Sequence, residues 1–187
     1  ELHNKRVAVI GTGASAIQFV PEITPLVGQL DLYQRSAAWV LPKPDRPFHR
    51  FEQTLFKKLP LWDRLYRGLI YWKNESRALA FTRFSWILDL FAHQARKEAR
   101  RWVTDPDKLH HLIPDYRIGC KRILISNDWY RAVNQPHANL LTDGIARIDE
   151  TGIVSETGEH RPADIIIFGT GFRASEFLSP IHIAGRE

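Results

Sequence analysis

Residues 5–16 read KRVAVIGTGASA, and this stretch decides the fold. A short apolar strand runs straight into Gly11-Thr12-Gly13-Ala14-Ser15-Ala16, a G-x-G-x-x-A turn, and Ala16-Ile17-Gln18-Phe19-Val20 opens an apolar helix. Each small residue has a mechanical task in such a strand–turn–helix. Gly11 permits the tight turn off the strand, Gly13 lets backbone approach a pyrophosphate, and Ala16 allows the helix to lie close on the sheet. The helix N-terminus then offers N–H groups and its positive dipole end to phosphate. A dinucleotide site is the reading, in preference to a plain glycine turn.

Working outward, residues 30–33 form the second strand, and its end reads Gln34-Arg35-Ser36. An NAD-preferring site places Asp or Glu there to hold the ribose hydroxyls. Here a guanidinium and a hydroxyl stand at the tip instead, and they suit a 2′-phosphate. NADPH is favoured over NADH, the alternative being that Arg35 is a solvated surface charge.

Three proline positions in PKPDRPF (42–48) then mark a loop that can continue neither strand nor helix. From about residue 51 to 102 the composition turns aromatic and basic with helical spacing, Phe84, Ile87, Leu88, Phe91 and Ala95 recurring at three- and four-residue intervals. Pro60 separates a shorter helix from those after it, and Asp105-Pro106 stops the last near Val103. The tryptophans and arginines of this insertion read as helices packed on one another or on a partner domain, with a membrane-surface or nucleic-acid platform as the lesser alternative.

Strand signals then return: residues 122–126 as a strand or strand-like turn, 138–142 as a short strand, a hairpin through 144–149 and 152–155, a turn at Thr157-Gly158, and ADIIIFG (163–169) as a central parallel strand. The pattern is α/β with a helical insertion. In domain terms it divides into a first β-α-β part (1–41), a loop and helical insertion (42–113), and a second part of the same nucleotide domain (114–169).

The 187 residues carry a net charge of +5, 44% hydrophobic and 25% charged residues, as in an ordinary globular protein. The basic excess is modest and lies mostly in the middle segment, so no nucleic-acid partner is expected. No apolar run reaches membrane-spanning length. Cys120 is the single cysteine; it excludes an internal disulfide, makes a cytoplasmic location the default, and is expected to pack rather than react. His110-His111 lacks a third ligand at metal spacing, so no metal site is expected. The chain holds no methionine and begins at Glu1, which reads as a piece of a longer protein.

Four stretches together carry a resemblance: GTGASAIQ (11–18), QRSAAWVLPKPDRPF (34–48), PDYRIGCKRILISNDWY (114–130) and DIIIFGTGF (164–172). In order and spacing they resemble the flavin-dependent Baeyer–Villiger monooxygenases, within the flavin-containing monooxygenase superfamily, over essentially the whole chain. The resemblance implies a Rossmann-like NADP-binding domain of a flavoprotein with two dinucleotide-binding domains, interrupted by a helical insertion, with residues 170–187 starting the return into an FAD domain. It implies that Gly11, Thr12, Gly13, Ala14, Ser15, Ala16 and Gln18 wrap the NADPH pyrophosphate. Arg35 and Ser36 would hold the 2′-phosphate with Lys121 as third contact. Arg122 would be the catalytic arginine beside the flavin ring, and Thr170-Gly171 would mark the crossing between domains.

The implied reaction uses NADPH and FAD to insert one atom of O2 beside a ketone carbonyl through a flavin C4a-peroxide, giving an ester or lactone. A permanently protonated guanidinium suits Arg122's part, since it stabilises a peroxide anion and the charge developing on the substrate oxygen. Adjacent residues on a strand face opposite ways, which would let Lys121 serve the phosphate and Arg122 the ring. The family's FAD-binding glycine motif and its F-x-G-x-x-x-H-x-x-x-W fingerprint are not in the sequence. FAD would therefore be bound mainly outside this chain, which is expected to be inactive alone. Alternatives in the same sequence are a flavin N- or S-oxygenase and a non-catalytic NADP(H)-binding module.

Overall fold

The computed structural model describes residues 1–172, 181, 184 and 185. Most of the expected return segment, 170–187, thus lies outside the described residues. The chain packs as two units: a sheet unit of residues 1–35 and 136–187, and a helical unit of residues 36–135. The two units divide after Arg35 and Gln135.

In the sheet unit, β1 (Arg6–Ile10), β2 (Gln29–Tyr33), β5 (Ala138–Leu141) and β9 (Ile165–Phe168) form one four-stranded sheet in the order β5-β2-β1-β9. Every pairing is parallel. The chain enters at β1, crosses through α1 (Ala16–Ile23) to β2 on one side, and later places β9 on the other side of β1. Such a reversal of strand order opens a crevice at the carboxyl ends of the strands. Alternation along β1 aims Ala8 and Ile10 at one face and the buried Val7 and Val9 at the other. On the first face the antiparallel sheet β6 (Ile145–Asp149), β7 (Gly152–Ser155) and β8 (His160–Pro162) contributes Ile153 to a cluster with Ala8 and Tyr33. The hairpin and the left-handed turn at Gly158 agree with the sequence reading.

One expectation is corrected. β9 is parallel, but it pairs only with β1 and forms an end of the described sheet instead of its centre. Its isoleucines are half-buried and Phe168 is exposed, so an all-apolar run does not by itself mean burial on both faces.

The helical unit contains β3 (Val40–Leu41), α2 (Arg50–Lys58), α3 (Pro60–Thr82), α4 (Trp86–Trp102), α5 (Pro106–Leu112), β4 (Leu124–Ile125) and α6 (Trp129–Val133). Pro60 does begin α3, and α4 does end before Asp105-Pro106. The same Asp-Pro then starts α5, unforeseen in the sequence: the Asp105 carboxylate accepts from the N–H groups of Asp107 and Lys108, an N-cap with Pro at N1. Leu88, Ala92, Ala95 and Ala99 form the buried stripe of α4, and Leu88, Ala92 and Ala95 pack with Trp39, Ala80 and Ile118 in the core of this unit.

Candidate functional site

In the sheet unit the turn after β1 is built by backbone. Gly11 has φ +106°, and a Cβ there would lie 2.6 Å from the Gly169 carbonyl oxygen. Both conformation and space therefore require glycine. The Gly11 N–H donates to the Tyr33 carbonyl, and the Gly169 N–H donates to the Ile10 carbonyl, so the ends of β1, β2 and β9 are tied at one level. A Cβ on Gly169 would stand 3.6 Å from the Ala16 Cβ, which supports the reading that Ala16 lets α1 lie close to the sheet. Gly13 differs: its nearest neighbour would be 3.9 Å away, and it is exposed. Ser15 caps α1 without a side-chain bond. Thr12 is buried, whereas the Gln18 amide turns back to donate to the Ala14 carbonyl at 2.7 Å. Thr170 and Gly171 follow Gly169 directly, exposed, with Gly171 at φ +95°.

A second feature of this unit escaped the sequence reading. Asp31, in the middle of β2, is 3% exposed. Its carboxylate accepts from Asn139 Nδ2 at 2.7 Å and from Gln29 Nε2, and Arg161 Nη1 lies 3.7 Å away. Burial, then the Asp31 charge, push the Tyr33 hydroxyl up to about 12. The only sequence signal was a charged residue inside the apolar run LDLY. Asp31 faces the hairpin side of the unit rather than the strand tip, so the absence of a carboxylate at the end of β2 stands.

In the helical unit, two segments far apart in sequence are zipped together. β3 and β4 pair in parallel; the Leu124 N–H donates to the Trp39 carbonyl, and the Ser126 N–H donates to that of Leu41. Asn127 clamps Lys43 from both sides, accepting its N–H at 2.8 Å and donating to its carbonyl at 3.1 Å. Trp39 Nε1 donates to the Tyr116 carbonyl, and the Tyr116 hydroxyl donates to the Ala37 carbonyl. At the end of this zip the Lys121 ammonium donates to Ser36 Oγ at 3.3 Å and stands 4.5 Å from the Tyr116 ring centroid. An ammonium has three donors, so one bond to a hydroxyl does not saturate it.

Two expectations about this loop are corrected. Strand β4 begins at Leu124, so Lys121 and Arg122 sit in the loop ahead of it, and strand alternation does not orient them. Cys120 is exposed, not packed. The cause is the turn at Gly119, φ +96°, in which the Cys120 N–H reaches back to the Arg117 carbonyl. Arg35, the last residue of the sheet unit, is exposed, as are Ser36 and Arg122. Thus the structure brings Ser36 and Lys121 together, and separately gathers the glycine turn with the Gly169-Thr170 corner. Among the described residues no cluster of metal-ligating side chains occurs, and no helix is long and apolar enough to cross a membrane.

No family model matches the chain. It is 46% identical, over all 187 residues, to a protein of Pseudomonas aeruginosa named Baeyer–Villiger monooxygenase, and 38% identical to one of that name from Streptomyces coelicolor. The chain spans 36% of the length of each of these curated relatives. An oxidised steroid monooxygenase bound to NADP superposes with a TM-score of 0.74 at 29% identity, covering 94% of this chain and 40% of that one. A cyclohexanone monooxygenase at 22% identity shares the fold, with a TM-score of 0.75, over 94% of this chain and 42% of its own. Along its whole length, therefore, this chain is a relative of the Baeyer–Villiger monooxygenases and corresponds to a segment of about a third of those proteins.

Proposed function

We propose that the chain is the NADPH-binding part of an FAD-dependent monooxygenase that inserts oxygen next to a ketone carbonyl, giving an ester or lactone. One observation carries the reading. Lys121 and Ser36, which the resemblance assigns to a single phosphate, are 85 positions apart, yet Nζ and Oγ lie 3.3 Å from each other. The donor set fits the nucleotide. The turn at residues 11–16 and Gln18 would take the pyrophosphate, with Gly13 leaving room for its close approach. Ser36 and Lys121, with Arg35, would take the 2′-phosphate: a hydroxyl and two cations match a dianionic monoester. Thr170 and Gly171 flank the turn at the corner where the chain would leave for the FAD domain.

Nicotinamide and flavin, when bound, supply the hydride and the oxygen chemistry. What this chain adds is position and charge. The part proposed for Arg122 is to place a guanidinium beside the substrate oxygen and stabilise the negative charge that develops there. FAD is assigned mainly to parts of the longer protein, and the 187 residues alone should not turn over. A cytoplasmic location goes with this reading.

Calorimetry on the chain tests the phosphate assignment. NADPH should bind more tightly than NADH, and Lys121→Ala should weaken NADPH by about tenfold or more while leaving NADH nearly unchanged, as expected for a lost charged hydrogen bond. Equal loss for both nucleotides would refute it. In the full-length protein, Arg122→Ala should abolish ketone oxidation and retain part of the NADPH-driven flavin reduction; undiminished ester formation would remove Arg122 from its role.

A further inference from the structure

Tyr116 precedes Lys121 by five positions, and the left-handed turn at Gly119 folds the chain between them back on itself. The Cys120 N–H closes that turn on the Arg117 carbonyl at 3.2 Å. In this arrangement the Lys121 ammonium stands 4.5 Å from the centroid of the Tyr116 ring, where the negative face of the π system attracts it. Tyr116 is itself fixed at both ends. Its hydroxyl donates to the Ala37 carbonyl at 3.1 Å, and its carbonyl accepts from the indole of the buried Trp39 at 3.0 Å. Its half-buried body packs against the core cluster that holds Trp39, Leu88 and Ile118. Burial pushes the hydroxyl up from its ordinary value, so near neutrality it stays protonated and keeps donating.

Ala37 follows Ser36 directly. One side chain therefore engages both members of the pair assigned to the phosphate. Through its hydroxyl it holds the segment that carries Ser36, and through its ring face it holds the Lys121 head. The consequence is energetic. A lysine in an exposed loop keeps many rotamers, and ordering it consumes much of what a charged hydrogen bond returns. An ammonium already held between a ring face and the Ser36 hydroxyl has less freedom left to lose when an anion arrives. Trp39 and Asn127 hold backbone in place at this zip, whereas Tyr116 also contacts the cation itself.

We propose that Tyr116 is a positioning residue that presets Lys121 for the 2′-phosphate and so strengthens the preference for NADPH over NADH. The role rests on the 2′-phosphate reading of Ser36 and Lys121. The test is calorimetry with NADPH and with NADH on the chain, on Tyr116→Leu, on Lys121→Ala and on the double variant. Tyr116→Leu should weaken NADPH about three- to fivefold, the size of one exposed cation–π contact, and leave NADH unchanged. With Lys121 already replaced by Ala, Tyr116→Leu should have no further effect on NADPH, because the ring acts through the ammonium. Tyr116→Phe, which keeps the ring face, should restore most of the NADPH affinity. Far-ultraviolet circular dichroism checks that each variant folds, and Tyr116→Met, adaptable in shape and without a ring face, takes the place of Tyr116→Leu should that variant not fold. Unchanged NADPH affinity, equal weakening of both nucleotides, or the same loss with and without Lys121 overturns the proposal. So does a Tyr116→Phe variant as weak as Tyr116→Leu. Should Lys121→Ala itself fail to separate NADPH from NADH, the phosphate reading falls and the role of Tyr116 with it.

Discussion

Gly11 and Gly119 share a left-handed backbone, φ +106° and +96°, yet they answer to different neighbours. At Gly11 an added methyl would meet a carbonyl of the sheet unit, Gly169 O, at 2.6 Å. At Gly119 it would meet the edge of a side chain of the helical unit, Phe81 Cε1, at 2.9 Å. Backbone held in a parallel sheet cannot yield, whereas a phenyl ring can turn. The first glycine belongs to a site written in consecutive residues. The second belongs to a loop whose position depends on a helix nearly 40 residues earlier.

The comparison can be broken most decisively at Gly11. Gly11→Ala should cost at least about 3 kcal/mol, combining left-handed strain with a clash that only strand movement relieves. Its urea midpoint should fall further than that of Gly119→Ala, for which about 2 kcal/mol is expected from the strain with the ring displaced. Equal losses would mean that conformation alone, and not the neighbour, sets the cost. Trp39→Phe should follow at about 1 kcal/mol, because it leaves the Tyr116 carbonyl without its indole donor and loosens the zip that carries Lys121. The same variant should lower NADPH affinity in calorimetry.

Acid titration gives a smaller effect in each unit. Hydrogen bonds from the Arg6 side chain and N–H hold the Asp164 carboxyl down at about 2 in the sheet unit, and those from Arg46 and the His49 N–H do the same for Glu52 in the helical unit. A carboxylate depressed in the folded state stabilises it above the unfolded value, and that stability is lost as pH falls through the folded value. Each contribution should thus be complete near neutrality and fade from the ordinary 3.8 or 4.5 down to about 2. Both pairs face solvent, so the slope should be shallow. Asp164→Asn and Glu52→Gln should each flatten it, as followed by urea midpoints against pH. Smallest of all, Gly13→Ala should shift stability by less than about 0.5 kcal/mol, since its Cβ meets nothing closer than 3.9 Å. Against that neutral background any loss of NADPH binding reports the pyrophosphate contact alone.

Legibility followed locality. The turn at 11–16, the strands at its two sides, the hairpin after residue 144 and the breaks at Pro60 and Asp105 were readable because each depends on φ restrictions and periodicity over a few residues. α5 was missed because a proline that ends one helix can open the next when an aspartate caps it. The strand end at Phe168 was misjudged because apolar composition records what could be buried, not what covers it. Lys121 beside Ser36 could be anticipated from resemblance, but the loop carrying it could not: its register is set by Trp39, Tyr116, Asn127 and Lys43, none of which announces its partner.

By itself, then, the sequence determined the backbone-built turn at Gly11, since the required φ and the required small size reside in the same few residues. Only the tertiary structure decided that Asp31 is buried in a polar cluster and that Lys121 reaches Ser36. Side chains distant along the chain meet at positions fixed by strand register and helix packing, and those depend on many weak contacts at once.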